Sequence, residues 1–198
     1  MSEVLEKARK AKAAAAQLAK LSSSVKDKAL EMMAQALEDQ MDFLIQANKP
    51  DVEAAVRNGR PRAFIDRLTL NQKRIKDMAD GLRVVKSLPD PVGETVTMWR
   101  RPNGLLIGQR RVPLGVIGII YESRPNVTAD AAGLCLKTGN AVILRGGSEA
   151  IESNKAIVKV LAKAAYEAGI PEGAIQLIEN TDRESARRLM RLNGLVDV

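Results

Sequence analysis

The stretch AVILRGGSEA, residues 141–150, opens as an unbroken apolar run and then changes abruptly to Arg145, Gly146, Gly147, Ser148 and Glu149. An Ala/Val/Ile/Leu run without polar alternation is the pattern of a strand covered on both faces, and such strands belong mostly to parallel sheets flanked by helices. Ligands of those sheets sit beyond the C-terminal ends of the strands. The stretch thus has the position, the cation and the backbone freedom to meet an anionic ligand.

Outward from this run, residues 113–198 alternate two periods. LGVIGII (114–120) reads as a strand, 127–137 as a helix, 141–144 as a strand, 151–168 as a helix ended by Gly169, Ile170 and Pro171, AIQLI (174–178) as a strand, and 182–191 as a helix. LVDV (195–198) opens a further strand. Strict alternation of this kind requires a parallel, doubly wound α/β sheet, here left incomplete. Upstream, residues 1–88 predict an all-helical lead-in. One helix runs over 2–21. A second is capped at Ser24, carries an apolar face that includes Met33, Leu37, Phe43 and Leu44, and breaks at Asn48 to Pro50. A short helix opened by Pro50 closes at Asn58-Gly59, and another spans 70–86. Between the two regions, 94–100 and 105–112 predict a β-hairpin around Asn103-Gly104. A hairpin with no sheet of its own is expected to pair with something, often a second subunit.

Composition narrows the function. The net charge of +7 and the basic pI suggest nucleic acid, but 17 basic against 13 acidic residues in 1–92 and 14 against 11 in 93–198 spread the excess over both halves. A nucleic-acid footprint needs a concentrated basic patch, and aromatics at 3% offer few stacking platforms, so no nucleic-acid partner is expected. Histidine is absent, which removes the commonest general base and zinc ligand and argues against metal-hydrolase and Ser-His chemistry. Cys135 is the only cysteine, so no internal disulfide forms. The longest apolar run, 112–120, is too short to span a bilayer. The expectation is a cytoplasmic protein without a membrane partner.

Two loops at strand ends collect polar groups. YESRPNVTAD (121–130) gathers Tyr121, Glu122, Ser123, Arg124, Asn126 and Thr128. Asn126 or Thr128 in that setting either caps the following helix or, for Asn126, offers an amide NH₂ to a developing oxyanion. RGGSEA (145–150) lacks the lysine and spacing of a Walker loop and is not G-x-G-x-x-G. It is either a glycine turn capped by Ser148 or an anion cradle in which Arg145 is the cation. Cys135, flanked by Leu134 and Leu136, reads as inert core.

RRVPLGVIGIIYESRPNVT (110–128) and LCLKTGNAVILRGGSEA (134–150), with DRLTL (66–70), LPDPVGE (88–94) and AGIPEGAIQLIEN (168–180), closely resemble the γ-glutamyl phosphate reductase (glutamate-5-semialdehyde dehydrogenase) family of the aldehyde dehydrogenase superfamily. The resemblance implies an aldehyde-dehydrogenase-like α/β fold. Residues 1–88 would be the helical N-terminal part of the cofactor domain, 89–112 a β-hairpin oligomerisation extension, and 113–198 an incomplete Rossmann-like NADP-binding domain, with the catalytic domain outside this chain.

It further implies NADPH-dependent reduction of L-glutamyl 5-phosphate to the semialdehyde in proline biosynthesis, through a cysteine thioester and hydride transfer. A homo-oligomer and a glutamate 5-kinase are the implied partners. Tyr121, Glu122, Ser123, Arg124, Arg145, Gly146, Gly147, Ser148 and Glu149 would meet the cofactor, and Asn126 the oxyanion. Where many NAD-preferring relatives carry a glutamate, this sequence has Ser148, which with Arg145 favours NADPH. The family's nucleophilic cysteine lies beyond position 198, so the chain alone is not expected to turn over. The alternative is a non-catalytic oligomerisation or regulatory domain.

Overall fold

The computed structural model describes residues 3–198. Five helices come first: α1 (Glu3–Leu18), α2 (Ser23–Asp39), α3 (Met41–Arg57), α4 (Arg62–Leu68) and α5 (Gln72–Ser87). An antiparallel ribbon of β1 (Thr95–Arg100) and β2 (Leu106–Arg110) follows. The remainder alternates: β3 (Val116–Ile120), α6 (Pro125–Lys137), β4 (Ala141–Arg145), α7 (Ile151–Glu167), β5 (Ile175–Leu177) and α8 (Arg183–Leu189), with a single 3₁₀ turn at Ser148–Ala150. The strands β3, β4 and β5 form one parallel sheet in that order.

Strand β4 is central and covered on both faces, as its unbroken apolar run requires. Ala141 and Ile143 pack with the α1 residues Val4, Ala8, Ala11 and Ala15, while Val142 and Leu144 enter the larger core with Leu30, Leu37, Ala132 and Leu161. The alanine-rich α1 fits because small side chains let a helix lie close on a sheet. The tail at 195–198 runs beside β3 instead of forming a full strand: Asp197 N donates to Val116 O at 2.9 Å and Gly118 N to Val198 O at 2.8 Å.

The helical lead-in is divided differently from the expectation. The break falls at Gln40, and α3 passes straight through Pro50. Proline there removes one helical N–H donor, a loss that tertiary contacts can outweigh. The neighbouring turn supplies them: Asn48 donates to Leu68 O at 2.9 Å and to Ser153 Oγ at 2.8 Å and accepts from Leu70 N, while Asp51 accepts from Ser153 N at 2.8 Å. Phe43, placed on the buried face by its spacing, lies at the surface beneath the Lys159 ammonium. Ser22, not Ser24, occupies the N-cap of α2. Helix α4 was not anticipated, and α5 starts two residues late, with Asn71 accepting from Arg74 N.

Candidate functional site

The C-terminal edge of the parallel sheet brings the two polar loops together. Tyr121 N donates to Arg145 O at 3.1 Å, which sets the end of β3 beside the end of β4. The Tyr121 side chain turns inward, its hydroxyl 2.7 Å from Thr128 Oγ1, which in turn donates to Asn154 Oδ1 at 2.9 Å. Burial pushes the Tyr121 phenol up to about 12, so it stays neutral and acts as a packed support.

Gly146 and Gly147 are required by the chain's own packing. A Cβ on Gly146 would strike the Asn154 amide and stand 3.1 Å from the Tyr121 ring, and one on Gly147 would stand 2.5 Å from Ser123 Oγ. Ser123, buried, donates to Glu149 Oε2 at 3.0 Å, and Ser148 Oγ lies 3.2 Å from the same oxygen. Glu122 and Arg124 are exposed at the loop.

Arg145 is partly buried, and its guanidinium donates to Thr181 O at 2.6 Å and to Gly146 O at 3.2 Å. Its Nε is buried without a partner. The arginine therefore ties the end of β4 to the segment before α8 while keeping one donor unspent.

Glu149 is not a free carboxylate. Arg60, just past the α3 turn, donates to its Oε1 at 2.6 Å and also sits over the Phe64 ring. Burial would raise the Glu149 pKa, but hydrogen bonds from its own backbone, Ser123 and Ser148, with the Arg60 charge, hold it below its usual value. The negative charge beside Ser148 is thus offset. Arg60 was missed in the sequence because nothing in its local pattern marks a residue that acts across 89 positions.

Asn126, in the first turn of α6, lines a cavity of about 380 Å³ with Arg67, Thr69, Arg74, Asp77, Arg124 and Asp130. Its amide donates to Asp130 Oδ2 at 3.3 Å, an (i, i+4) contact along the helix. Partial burial raises the Asp130 pKa against that hydrogen bond. The amide is thereby oriented at the cavity wall. Arg67, Arg74 and Asp77 come from α4 and α5, elements whose sequence carries no ligand motif.

Cys135 is buried on α6, and desolvation pushes its thiol up to about 11. It is core, as expected. Among the described residues no cluster of His, Cys, Asp and Glu could hold a metal ion. No helix among them is long and apolar enough to cross a membrane.

Residues 1–195 match the model of the aldehyde dehydrogenase family. A gamma-glutamyl phosphate reductase of Thermoanaerobacter sp. is 63% identical over 196 residues, which is 99% of this chain and 47% of that protein. Among solved structures, the gamma-glutamyl phosphate reductase of Thermotoga maritima superposes with a TM-score of 0.97 at 45% identity, over 98% of this chain and 47% of that one. The Saccharomyces cerevisiae gamma-glutamyl phosphate reductase gives 0.85 at 31% identity, over 92% and 47%. The chain spans about half the length of the relatives it matches. With the family model matched along nearly its whole length, on a fold shared with two solved reductases, the chain belongs to the aldehyde dehydrogenase family.

Proposed function

We propose that the chain is the cofactor-side portion of an NADPH-dependent γ-glutamyl phosphate reductase, which converts L-glutamyl 5-phosphate to L-glutamate 5-semialdehyde with release of phosphate in proline biosynthesis. The observation that carries this reading is the 63% identity to a curated gamma-glutamyl phosphate reductase across essentially the whole chain. Members of the family use NAD or NADP, and the bound nucleotide would supply the hydride. Because Cys135 is buried and protonated, the reading requires a nucleophilic thiol from sequence outside these 198 residues.

The residues present suit a phosphorylated nucleotide. Arg145, at the end of β4, retains an unpartnered donor, Ser148 exposes a hydroxyl, and Arg60 offsets the neighbouring Glu149 carboxylate. Arg145 with Ser148 would favour a 2′-phosphate and hence NADPH over NADH. Tyr121, Ser123, Gly146 and Gly147 support the loops by packing, leaving Glu122, Arg124 and Glu149 at the rim. Asn126 would hold its amide toward the developing oxyanion.

An acyl phosphate hydrolyses readily, so the glutamate 5-kinase that makes it is a natural partner, and the cytoplasm is the compartment this chemistry suits. The exposed hairpin would join copies of the chain.

The test uses a full-length polypeptide containing this segment. Phosphate-dependent reduction of NADP⁺ by glutamate 5-semialdehyde is expected. Arg145→Ala should weaken NADP⁺ binding about tenfold while moving NAD⁺ little, the lower end expected for a charge-assisted contact at a partly exposed site. An unchanged NADP⁺ to NAD⁺ affinity ratio would remove Arg145 from phosphate recognition. A well-folded full-length polypeptide without any such activity would overturn the reductase reading.

A further inference from the structure

The cavity beside Asn126 holds ionisable groups of both signs that no other described residue pairs with. Arg67 in the last turn of α4, Asp77 on α5 and Arg124 immediately before α6 all line it. None of the three side chains has a hydrogen-bond or ion-pair partner among the described residues. Arg74, by contrast, is spent: it pairs with Asp66 at 2.9 Å and donates to Thr69 O at 2.8 Å. Asp130 is occupied by the Asn126 amide. Thus one positive group from α4, one negative group from α5 and one positive group at the start of α6 face a single cavity without closing onto one another.

A site for a plain anion would carry arginines without an opposing free carboxylate. A site with separated, unsatisfied charges of both signs is complementary to a zwitterion, whose ammonium and carboxylate branch from one carbon. The volume of about 380 Å³ lies within the range of small-molecule sites.

We propose that this cavity is the subsite for the α-amino-acid head group of the substrate, with Asp77 facing the ammonium and Arg67 the carboxylate. Arg124, two residues before Asn126, faces the anionic acyl end. The inference rests on the reductase reading, whose substrate has an ammonium and a carboxylate at one end and an acyl phosphate at the other. It extends that reading by assigning the recognition of the amino-acid end to α4 and α5, which form part of the helical lead-in and not of the strand-end loops.

The test is a heteronuclear NMR titration of a full-length polypeptide containing this segment with L-glutamate, with glutarate and with inorganic phosphate. Saturable amide shifts are expected in residues 66–78 and 124–130 with L-glutamate. Glutarate, which keeps both carboxylates and lacks the ammonium, should bind about tenfold more weakly, as expected for loss of one charge-assisted contact. Asp77→Asn should abolish that preference and leave the phosphate response intact, and Arg67→Gln should weaken both carboxylate ligands. Arg124→Gln should weaken phosphate about tenfold without altering the preference for L-glutamate over glutarate.

These positions are exposed, so the variants should fold, which unchanged spectra elsewhere would verify. Equal affinity for L-glutamate and glutarate in the unmodified chain, a preference that survives Asp77→Asn, or no saturable shift would each overturn the proposal. NADPH titrated into the same samples separates the two claims. A preference for L-glutamate without nucleotide binding counts against the reductase reading and leaves the subsite standing, whereas nucleotide binding without the preference removes the subsite alone.

Discussion

Cys135 lies on α6 within the main core, and its thiol is pushed up to about 11 by burial alone. At neutral pH almost none of it is thiolate, the form that attacks electrophiles. The native chain should therefore react with a maleimide only through unfolding, at a rate that rises with urea. Cys135→Ala should cost about 1 kcal/mol in urea denaturation, the loss of one buried sulfur atom. Rapid labelling of the native protein would show the thiol to be accessible and reopen its exclusion from the chemistry.

Arg145 shows the complementary limit. The abrupt step from Leu144 to a guanidinium marked the residue, but the sequence could not show that Thr181 and Asp182, far along the chain, would take two of its hydrogen bonds. Likewise the identity of Ser148 was legible, whereas the offset of its neighbour Glu149 by Arg60 depends on a turn between α3 and α4 that only the tertiary fold places there.

At the scale of elements, the alternating half was readable because its signals are local: apolar runs bounded by Gly and Pro, and helices of 13 and 17 residues between them. The helical lead-in was less so. Its break at Gln40 has no proline or glycine, and Pro50 sits inside α3, held there by Asn48 and Asp51 reaching α7 and the segment before α5. Propensity lost to tertiary hydrogen bonding.

The other end of the lead-in is pinned by Lys26, which is 1% exposed and pairs with Asp90. Asp90 also accepts from Ser23 Oγ at 2.6 Å and Val92 N at 2.9 Å, joining the start of α2 to the connection between α5 and the hairpin. Burial would raise the Asp90 pKa, but these hydrogen bonds and the Lys26 charge hold it below its ordinary value. A carboxylate depressed in the folded state contributes stability above its unfolded pKa of about 3.9 and loses it as pH falls through the folded value. Asp90→Ala should therefore cost about 3 kcal/mol at pH 7, because it strands a buried ammonium, and the cost should shrink on acidification below the usual carboxylate range. Urea titrations of both proteins at neutral and acidic pH would measure it. A pH-independent difference would mean that the pair is held by packing and not by charge.

For the whole molecule, the feature that its own core does not account for is the ribbon of β1 and β2. Two strands alone are marginal in water, and both outer edges of this ribbon are unpaired by any other strand among the described residues. Its register places Met98 opposite Gly108 and Arg100 opposite Leu106, so Met98 and Leu106 share one face, while Trp99 and Ile107 face the other way. Met98 is 59% exposed, Leu106 53% and Trp99 43%. Burying Met98 and Leu106 at an interface would contribute about 1.5 to 3 kcal/mol each, with unpaired edges ready to extend a sheet across it. Self-association through the ribbon is therefore expected.

Trp99 is the only tryptophan in the sequence, so its emission reports on the ribbon alone. Sedimentation velocity over a concentration series should show reversible growth from monomer, with a parallel blue shift of the Trp99 emission. Met98→Glu combined with Leu106→Glu should hold the chain monomeric and its emission red, without changing the urea midpoint at concentrations where both proteins are monomeric, since neither side chain supports the core. Association that survives the double substitution would place the interface elsewhere. A chain that stays monomeric at every concentration would assign the ribbon to a surface supplied from outside these 198 residues.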